Sequence, residues 1–211
     1  ADTLVDSMDR ADQWVPQKSK DAPLATLETC EGREGRPETA LSVKVAEKKL
    51  YGLVTRRLQP DAAWSQTDGL SFWVKGDGSE NWGNIRIQAG DYRKAWAASF
   101  PLKETQWHQV KLAWGDFVPT TALWSELGSA DGARPGDLDL VGFGKEWNFN
   151  LFHKSPEIGF SVDDLALVKG VKSSRRTVPI EKLPPLAPVV EKLKAGRPVT
   201  ILALGDSITW G

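Results

Sequence analysis

The sequence predicts a mainly β protein: an antiparallel β-sandwich, then a proline-rich linker, then the first strand of an α/β domain. Three observations predict this order. Apolar and polar residues alternate in short runs over most of residues 1–170, four prolines punctuate residues 179–188, and residues 199–203 form a run that is apolar apart from Thr200. The predicted segments are therefore 1–170, 171–198 and 199–211.

Strands with a period of two residues account for the first segment. Leu70, Phe72 and Val74 alternate with Ser71, Trp73 and Lys75, and the turn Gly76-Asp77-Gly78 follows at once. The same alternation places three further apolar sets on one face each: Ile85, Ile87 and Ala89; Trp96, Ala98 and Phe100; Val110, Leu112 and Trp114. Several short strands at this spacing are typical of an antiparallel sandwich.

The last strand of this segment, residues 159–169, contains an irregularity. Val162 and Leu165 both belong to its apolar face, but Leu165 comes three positions after Val162. Strict alternation would require an offset of two or four positions. A β-bulge at Asp163 and Asp164 would reconcile the two phases. The sequence therefore predicts two adjacent carboxylates at a kink.

The remaining residues read as a connector followed by a buried strand. The prolines after Gly170 predict a stiff, extended linker, and Val189–Ala195 predicts a short helix that ends before Gly196 and Pro198. The apolar run Val199–Ala203 predicts a strand that is buried on both faces.

Composition excludes several classes of function. The net charge is −1 with acidic and basic residues interspersed, which gives no electrostatic reason to expect nucleic acid or an anionic membrane as a partner. No apolar run approaches the roughly 20 residues of a membrane span. The single Cys30 has no partner for an internal disulfide. The start at Ala1 fits a cleaved signal peptide, although a chosen expression boundary would look the same, and we expect a secreted or periplasmic bacterial protein.

The end of the chain contains a nucleophile motif. Gly205-Asp206-Ser207 follows the predicted buried strand, and the carboxyl ends of such strands are where open α/β sheets place their chemistry. The block Leu204–Gly211 resembles the first conserved block of the GDSL, or SGNH, family of serine esterases. This resemblance implies that Ser207 is the nucleophile, that its backbone N–H helps to bind the oxyanion, and that residues 199–211 begin an SGNH hydrolase domain.

The resemblance also implies groups that this sequence lacks. In the SGNH family a histidine takes the serine proton, and an aspartate three residues earlier orients it. The two histidines here, His108 and His153, have Thr105 and Asn150 at that position. We therefore expect the 211 residues alone to be inactive. The expected partner is the remainder of the catalytic domain, and the expected complete protein is an esterase that removes acetyl or similar groups from a polysaccharide without a catalytic cofactor.

A second resemblance concerns the first segment. Residues 69–78, 107–112 and 160–167 resemble strand and turn positions of galactose-binding-like jelly-roll domains, which occur as carbohydrate-binding modules beside polysaccharide-degrading enzymes. The resemblance implies a domain that binds or positions a glycan. Two alternatives stay open: a non-catalytic carbohydrate-binding module, or a purely structural accessory domain.

Ten tryptophans make sugar binding plausible on chemical grounds, because indole rings stack on sugar rings and can still donate a hydrogen bond. Trp73, Arg86 and Gln88 point away from the apolar faces of their strands, so they would share one exterior face if those strands pair. Tyr92 follows in the next turn and Trp147 lies in a loop. We predict that these five residues form a sugar-binding surface. The alternative, that this face packs against the catalytic domain, is equally open.

A calcium site is a further prediction. Asp163 and Asp164 at the bulge, together with Asp6 near the amino end, would supply the hard oxygen ligands that calcium prefers. The resemblance to jelly-roll modules supports this hypothesis, because these often hold a structural calcium near their first and last strands. The alternative is that one aspartate is a bulge residue and the other is solvated.

Overall fold

A computed structural model describes residues 2–19, 22–33, 39–92, 94–120, 127–128, 133–146, 156–175, 191–192 and 194–197. The chain divides into two compact units, Ala1–Arg175 and Arg176–Gly211. The described residues contain fourteen strands: β1 Thr3–Asp6, β2 Val15–Pro16, β3 Lys18–Ser19, β4 Ala22–Pro23, β5 Thr26–Glu31, β6 Thr39–Val45, β7 Gly52–Arg57, β8 Gly69–Gly76, β9 Trp82–Gln88, β10 Ala95–Pro101, β11 His108–Ala113, β12 Val118–Pro119, β13 Leu140–Lys145 and β14 Ile158–Val168.

The strands form two antiparallel sheets that face each other. The first sheet has the order β11-β8-β14-β6-β5, with β1 also paired to β14, and the second has the order β12-β10-β9-β13-β7-β2. Strands β3 and β4 form a separate short ribbon. The predicted antiparallel β-sandwich is confirmed for the first unit.

Four phenylalanines from both sheets meet in the core. Phe72 and Phe160 come from β8 and β14 of the first sheet, and Phe100 and Phe143 come from β10 and β13 of the second. The Phe72 ring centroid lies 5.1 Å from that of Phe143 and 5.2 Å from that of Phe100, with edge-to-face geometry. Such aromatic pairs add about 1 kcal/mol each to the stabilisation from burial alone. They lock the two inner faces together.

The predicted bulge in the last strand is confirmed. Asp163 pairs with Trp73 of β8, and the register then shifts so that Ala166 pairs with Ser71. Asp164 has a φ of 47°, which is unusual for a residue with a side chain and typical of a bulged position.

The segment after β14, Gly170–Arg175, is held against the sandwich; we call it the exit segment. Gly170 N donates to Asp68 Oδ2 at 2.6 Å. Asp116 Oδ1 accepts hydrogen bonds from Ser173 Oγ and Ser174 N, each at 2.8 Å. The other oxygen, Oδ2, caps the 3-10 turn Trp114–Asp116 by accepting from Ala113 N at 2.8 Å.

These hydrogen bonds control the ionisation of Asp116. Burial raises the pKa of its carboxyl, but the hydrogen bonds from Ser173, Ala113 and Ser174 outweigh burial and leave the pKa below its ordinary value. One carboxylate therefore fixes both the turn and the exit segment, and it does so in its charged form.

The second unit is described over residues 191–192 and 194–197. Ala195 N donates to Glu191 O at 3.0 Å, a helical hydrogen bond within the predicted short helix. The described residues contain no helix that is long and apolar enough to cross a membrane.

We predict that Asp116→Ala destabilises the protein by about 2 kcal/mol, because it removes hydrogen bonds to a charged acceptor. Trypsin should then cleave faster after Lys172 and Arg175. Since the folded pKa is depressed, this stabilisation is present above the unfolded aspartate pKa of about 3.9 and is lost as pH falls through the folded pKa. Urea unfolding of the wild type and Asp116→Ala at several pH values from 7 to 3 would measure how the difference in their free energies of unfolding changes with pH.

Asp137→Ala is the matched control. Asp137 caps a similar turn, Pro135–Asp137, by accepting from Arg134 N at 2.8 Å, but it makes none of the hydrogen bonds to the exit segment described above. Its removal should leave cleavage after Lys172 unchanged. Equal acceleration by both variants would show that Asp116 does not hold the exit segment.

Candidate functional site

The outer surface of the second sheet carries a row of polar side chains along β9. Ile85 and Ile87 point into the core and are completely buried, so the residues between them and on either side point outward. We call the outward row Trp82, Asn84, Arg86 and Gln88 the β9 face. Around Asn84 and Arg86 the neighbours across both strand pairs are small: Ala97 and Ser99 on β10, and Gly142 and Gly144 on β13.

Arg86 is the centre of this face. Its Nη1 donates to Glu146 Oε2 at 3.2 Å, and its Nη2 donates to Tyr92 O at 2.9 Å and to Gln88 Oε1 at 3.4 Å. The Arg86 and Glu146 side chains are only 13% and 6% exposed. Two buried charges therefore neutralise each other, and the buried Arg86 Nε has no hydrogen-bond partner among the described residues.

The two amides of the row are also held in place. Asn84 Nδ2 donates to Ser99 Oγ at 2.8 Å, while its Oδ1 accepts from Glu146 N at 2.9 Å. Gln88 Nε2 donates to Gly90 O at 3.1 Å. Side chains held in this way lose little conformational entropy when a ligand binds, so the face is preorganised.

Exposed aromatic residues lie at both ends of the row. Trp82, the first residue of β9, is 56% exposed, and Tyr92 in the turn after β9 is 68% exposed. Tyr51, just before β7, is 38% exposed. When the register of β13 is extended by one residue along β7 and by two along β9, Glu146 stands between Tyr51 and Trp82. Aromatic rings beside hydrogen-bonding groups are the chemistry that sugar rings require.

The predicted sugar-binding set is only partly brought together. Arg86, Gln88 and Tyr92 do meet, through the hydrogen bonds of the Arg86 guanidinium. The set omits Trp82, although counting back in twos from Arg86 places it on the same face. Trp147 lies outside the described residues, as does Ser207 with the whole nucleophile motif.

The placement of Trp73 on the same face as Arg86 and Gln88 is wrong. It assumed that β8 and β9 pair, but β8 lies in the first sheet and β9 in the second. Residues 77–81 carry the chain from one sheet to the other, so Trp73 lies on the opposite outer surface of the sandwich. There the Arg33 guanidinium lies 4.4 Å from the centre of its ring and covers one face.

The predicted calcium grouping of Asp163, Asp164 and Asp6 is not formed. Asp163 Oδ2 accepts from Arg33 Nε at 3.0 Å, and Asp164 pairs with the same guanidinium. Asp6 pairs with Arg56. Within the ranges that the structure describes, no group of three or more acidic, histidine or cysteine side chains could hold a metal ion. Arginines neutralise the carboxylates that the prediction assigned to calcium.

The environment of Asp163 favours such neutralisation. Burial raises the pKa of its carboxyl, and the hydrogen bond from Arg33 opposes that rise. The ion pair thus offsets the cost of placing a carboxylate on a largely buried strand.

The chain belongs to the carbohydrate binding domain family 11, which residues 2–167 match. This match ends before the nucleophile motif of residues 205–207.

Among curated proteins, the chain is similar to a mannan endo-1,4-β-mannosidase of Bifidobacterium adolescentis, with 29% identity over 123 residues. The aligned region covers 56% of this chain and 12% of that enzyme, so the chain spans a small part of its relative.

Two solved structures share the fold. The family 11 module of Clostridium thermocellum in complex with a β-1,3-1,4-mixed-linked tetrasaccharide has a TM-score of 0.60 at 16% identity, covering 81% of this chain and 97% of that one. The family 11 module of the cellulosomal cellulase Lic26A-Cel5E of the same organism has a TM-score of 0.60 at 14% identity, covering 83% and 98%.

We predict that Arg86→Met destabilises the sandwich by about 3–4 kcal/mol, because it removes the guanidinium that pairs with the buried Glu146 carboxylate. Urea unfolding at pH 7 would measure this. The matched control is Arg57→Met, whose pair with Asp139 spans 2.9 Å but whose side chain is 67% exposed. That variant should lose less than about 1 kcal/mol. Similar losses in the two variants would contradict the assignment of Arg86 and Glu146 as a buried pair.

Proposed function

We propose that this chain is a module that binds a neutral polysaccharide along the β9 face. The observation that carries the proposal is the pair of exposed aromatic residues, Tyr51 and Trp82, on either side of Glu146 at one end of a preorganised polar row. Their rings would stack on sugar rings, and the partly exposed Arg86 guanidinium would donate hydrogen bonds to hydroxyls, while the buried Asn84 holds the row in place. Tyr92 provides an aromatic contact at the other end.

The charges on this face support a neutral ligand. Arg86 is paired with Glu146, and Arg57 at the end of β7 in the same sheet is paired with Asp139. A polysaccharide with carboxylate or sulfate groups would have to compete with these internal anions for the guanidinium groups. Sugar hydroxyls carry no charge with which to compete for either ion pair.

The relatives indicate which neutral polysaccharides to test first. One module of the same fold is described as a complex with a β-1,3-1,4-mixed-linked tetrasaccharide, and one relative is a mannan endo-1,4-β-mannosidase. Mixed-linked β-glucan and β-mannan are therefore the first candidates, and pectin, which is anionic, is the contrasting one.

We predict that Trp82→Ala weakens binding of a mixed-linked β-glucan or β-mannan tetrasaccharide by about 5-fold to 30-fold, the equivalent of 1–2 kcal/mol of stacking. Isothermal titration calorimetry would give the dissociation constants. Trp73→Ala is the control, because Trp73 lies on the other sheet beneath Arg33 and should leave affinity unchanged. If Trp73→Ala weakened binding more than Trp82→Ala does, the binding site would lie on the first sheet instead of the second.

Two other roles predict different results. If the β9 face packs against a neighbouring domain, or if the module is only structural, the wild-type chain would not be retarded in gels that contain either polysaccharide. Retardation of the wild type and its loss in Trp82→Ala would distinguish glycan binding from both.

For the longer protein we propose an exported serine esterase that removes acetyl or similar groups from the polysaccharide to which this module binds. The support is the string Gly205-Asp206-Ser207 after an apolar run, with the resemblance to the first SGNH block. Ser207 would attack the ester carbonyl, and its base and remaining oxyanion donors would come from residues beyond this chain. The module would keep the enzyme near its substrate.

We predict that a polypeptide with the full catalytic domain hydrolyses a chromogenic acetate ester, and that Ser207→Ala lowers kcat by at least about 10³-fold because the nucleophile is lost. The same variant should keep its retardation in polysaccharide gels. Hydrolysis that survives Ser207→Ala would rule out Ser207 as the nucleophile, whereas the 211-residue chain alone should be inactive.

A further inference from the structure

Lys145 is a completely buried lysine at the end of β13. Because side chains alternate along the strand, Lys145 points between the sheets while Glu146 contacts Arg86 on the outer face. Its ammonium Nζ donates to Lys49 O at 3.1 Å and also to Pro156 O. Burying an ammonium group costs free energy, so a buried lysine at this position indicates a role for its hydrogen bonds to the two backbone carbonyls.

The two acceptors belong to two different loops. Lys49 lies between β6 and β7, two residues before the exposed ring of Tyr51, and Pro156 lies just before β14. The Lys145 ammonium therefore joins these loops at the end of the sandwich where Tyr51, Glu146 and Trp82 lie.

The stability of the fold does not require a charged group at position 145. Burial lowers the pKa of Lys145, and the nearby Glu157 carboxylate opposes that shift. Burial thus disfavours the charged form, and an apolar side chain of similar length could fill the same space. What an apolar side chain could not do is donate hydrogen bonds to both loops.

We propose that Lys145 is a positioning residue for the glycan-binding face: its ammonium holds the β6–β7 loop so that the Tyr51 ring stays beside Glu146 and Trp82. The inference rests on the proposed function, since Tyr51 matters only if it contacts the ligand. Lys145 itself, being buried, does not touch the glycan.

Lys145→Met tests this role because it keeps the length of the side chain and removes the donors. We expect the Kd for the tetrasaccharide to rise roughly tenfold, the equivalent of one or two hydrogen bonds. The thermal midpoint should stay within a few degrees of the wild-type value or rise. Amide hydrogen exchange should accelerate at residues 47–51.

A double-mutant cycle separates positioning from a general structural effect. Tyr51→Ala should weaken binding in the wild-type background and have little further effect in the Lys145→Met background, because the ring is already displaced. Lys75→Met, on the exposed surface of the first sheet, is the control and should change neither affinity nor exchange. Lys145→Gln, which is too short to reach both carbonyls, replaces Lys145→Met if that variant does not fold.

The outcomes distinguish this inference from the proposed function. If the wild type binds neither glycan, the proposed function fails, and the exchange rates at residues 47–51 still show whether Lys145 orders the loop. If the wild type binds but Lys145→Met binds equally tightly, the positioning role is wrong. Equal effects of Tyr51→Ala in both backgrounds would also overturn it.

Discussion

The packing of four phenylalanines between the two sheets is the constraint on which the rest of the structure depends. Phe72 and Phe160 from one sheet interlock edge to face with Phe100 and Phe143 from the other. Because successive residues of a strand point to opposite sides, the inward position of each ring determines the side of every neighbouring side chain. The composition of both outer surfaces follows from this core.

Both outer surfaces of the sandwich contain a tryptophan and an arginine, but these residues are arranged differently on the two sheets. On the first sheet, Trp73 is covered by the Arg33 guanidinium, which also neutralises the carboxylates at the bulge. On the second sheet, the Arg86 guanidinium pairs with Glu146, and Trp82 at the end of the same row is 56% exposed. The Trp73 ring is therefore covered by a side chain of the protein itself, whereas the Trp82 ring on the β9 face is exposed to solvent. Internal pairing of charge leaves that face suited to hydroxyl groups.

Binding faces on β-sandwiches depend on loops as well as strands. The strands supply a flat row of residues whose spacing is set by the backbone, and the loops supply the rings at its ends. Lys145 supports one such loop from within the core, because its ammonium donates hydrogen bonds to Lys49 O and Pro156 O. The exit segment is likewise held by Asp116, so hydrogen bonds to charged side chains define both the rim of the module and the path by which the chain leaves it.

The sequence alone determined the class of the fold, the inward face of most strands and the bulge at Asp163, because each depends on local alternation that burial imposes. It also showed that Arg86 and Gln88 share a face. The sheet to which each strand belongs was decided by tertiary structure, since residues 77–81 could have formed a hairpin or a crossover. The assignment of β8 and β9 to different sheets separated Trp73 from Arg86. Asp163, Asp164 and Asp6 form ion pairs with Arg33 and Arg56 in place of the predicted calcium site. Such partners are distant in sequence, so no local pattern encodes them.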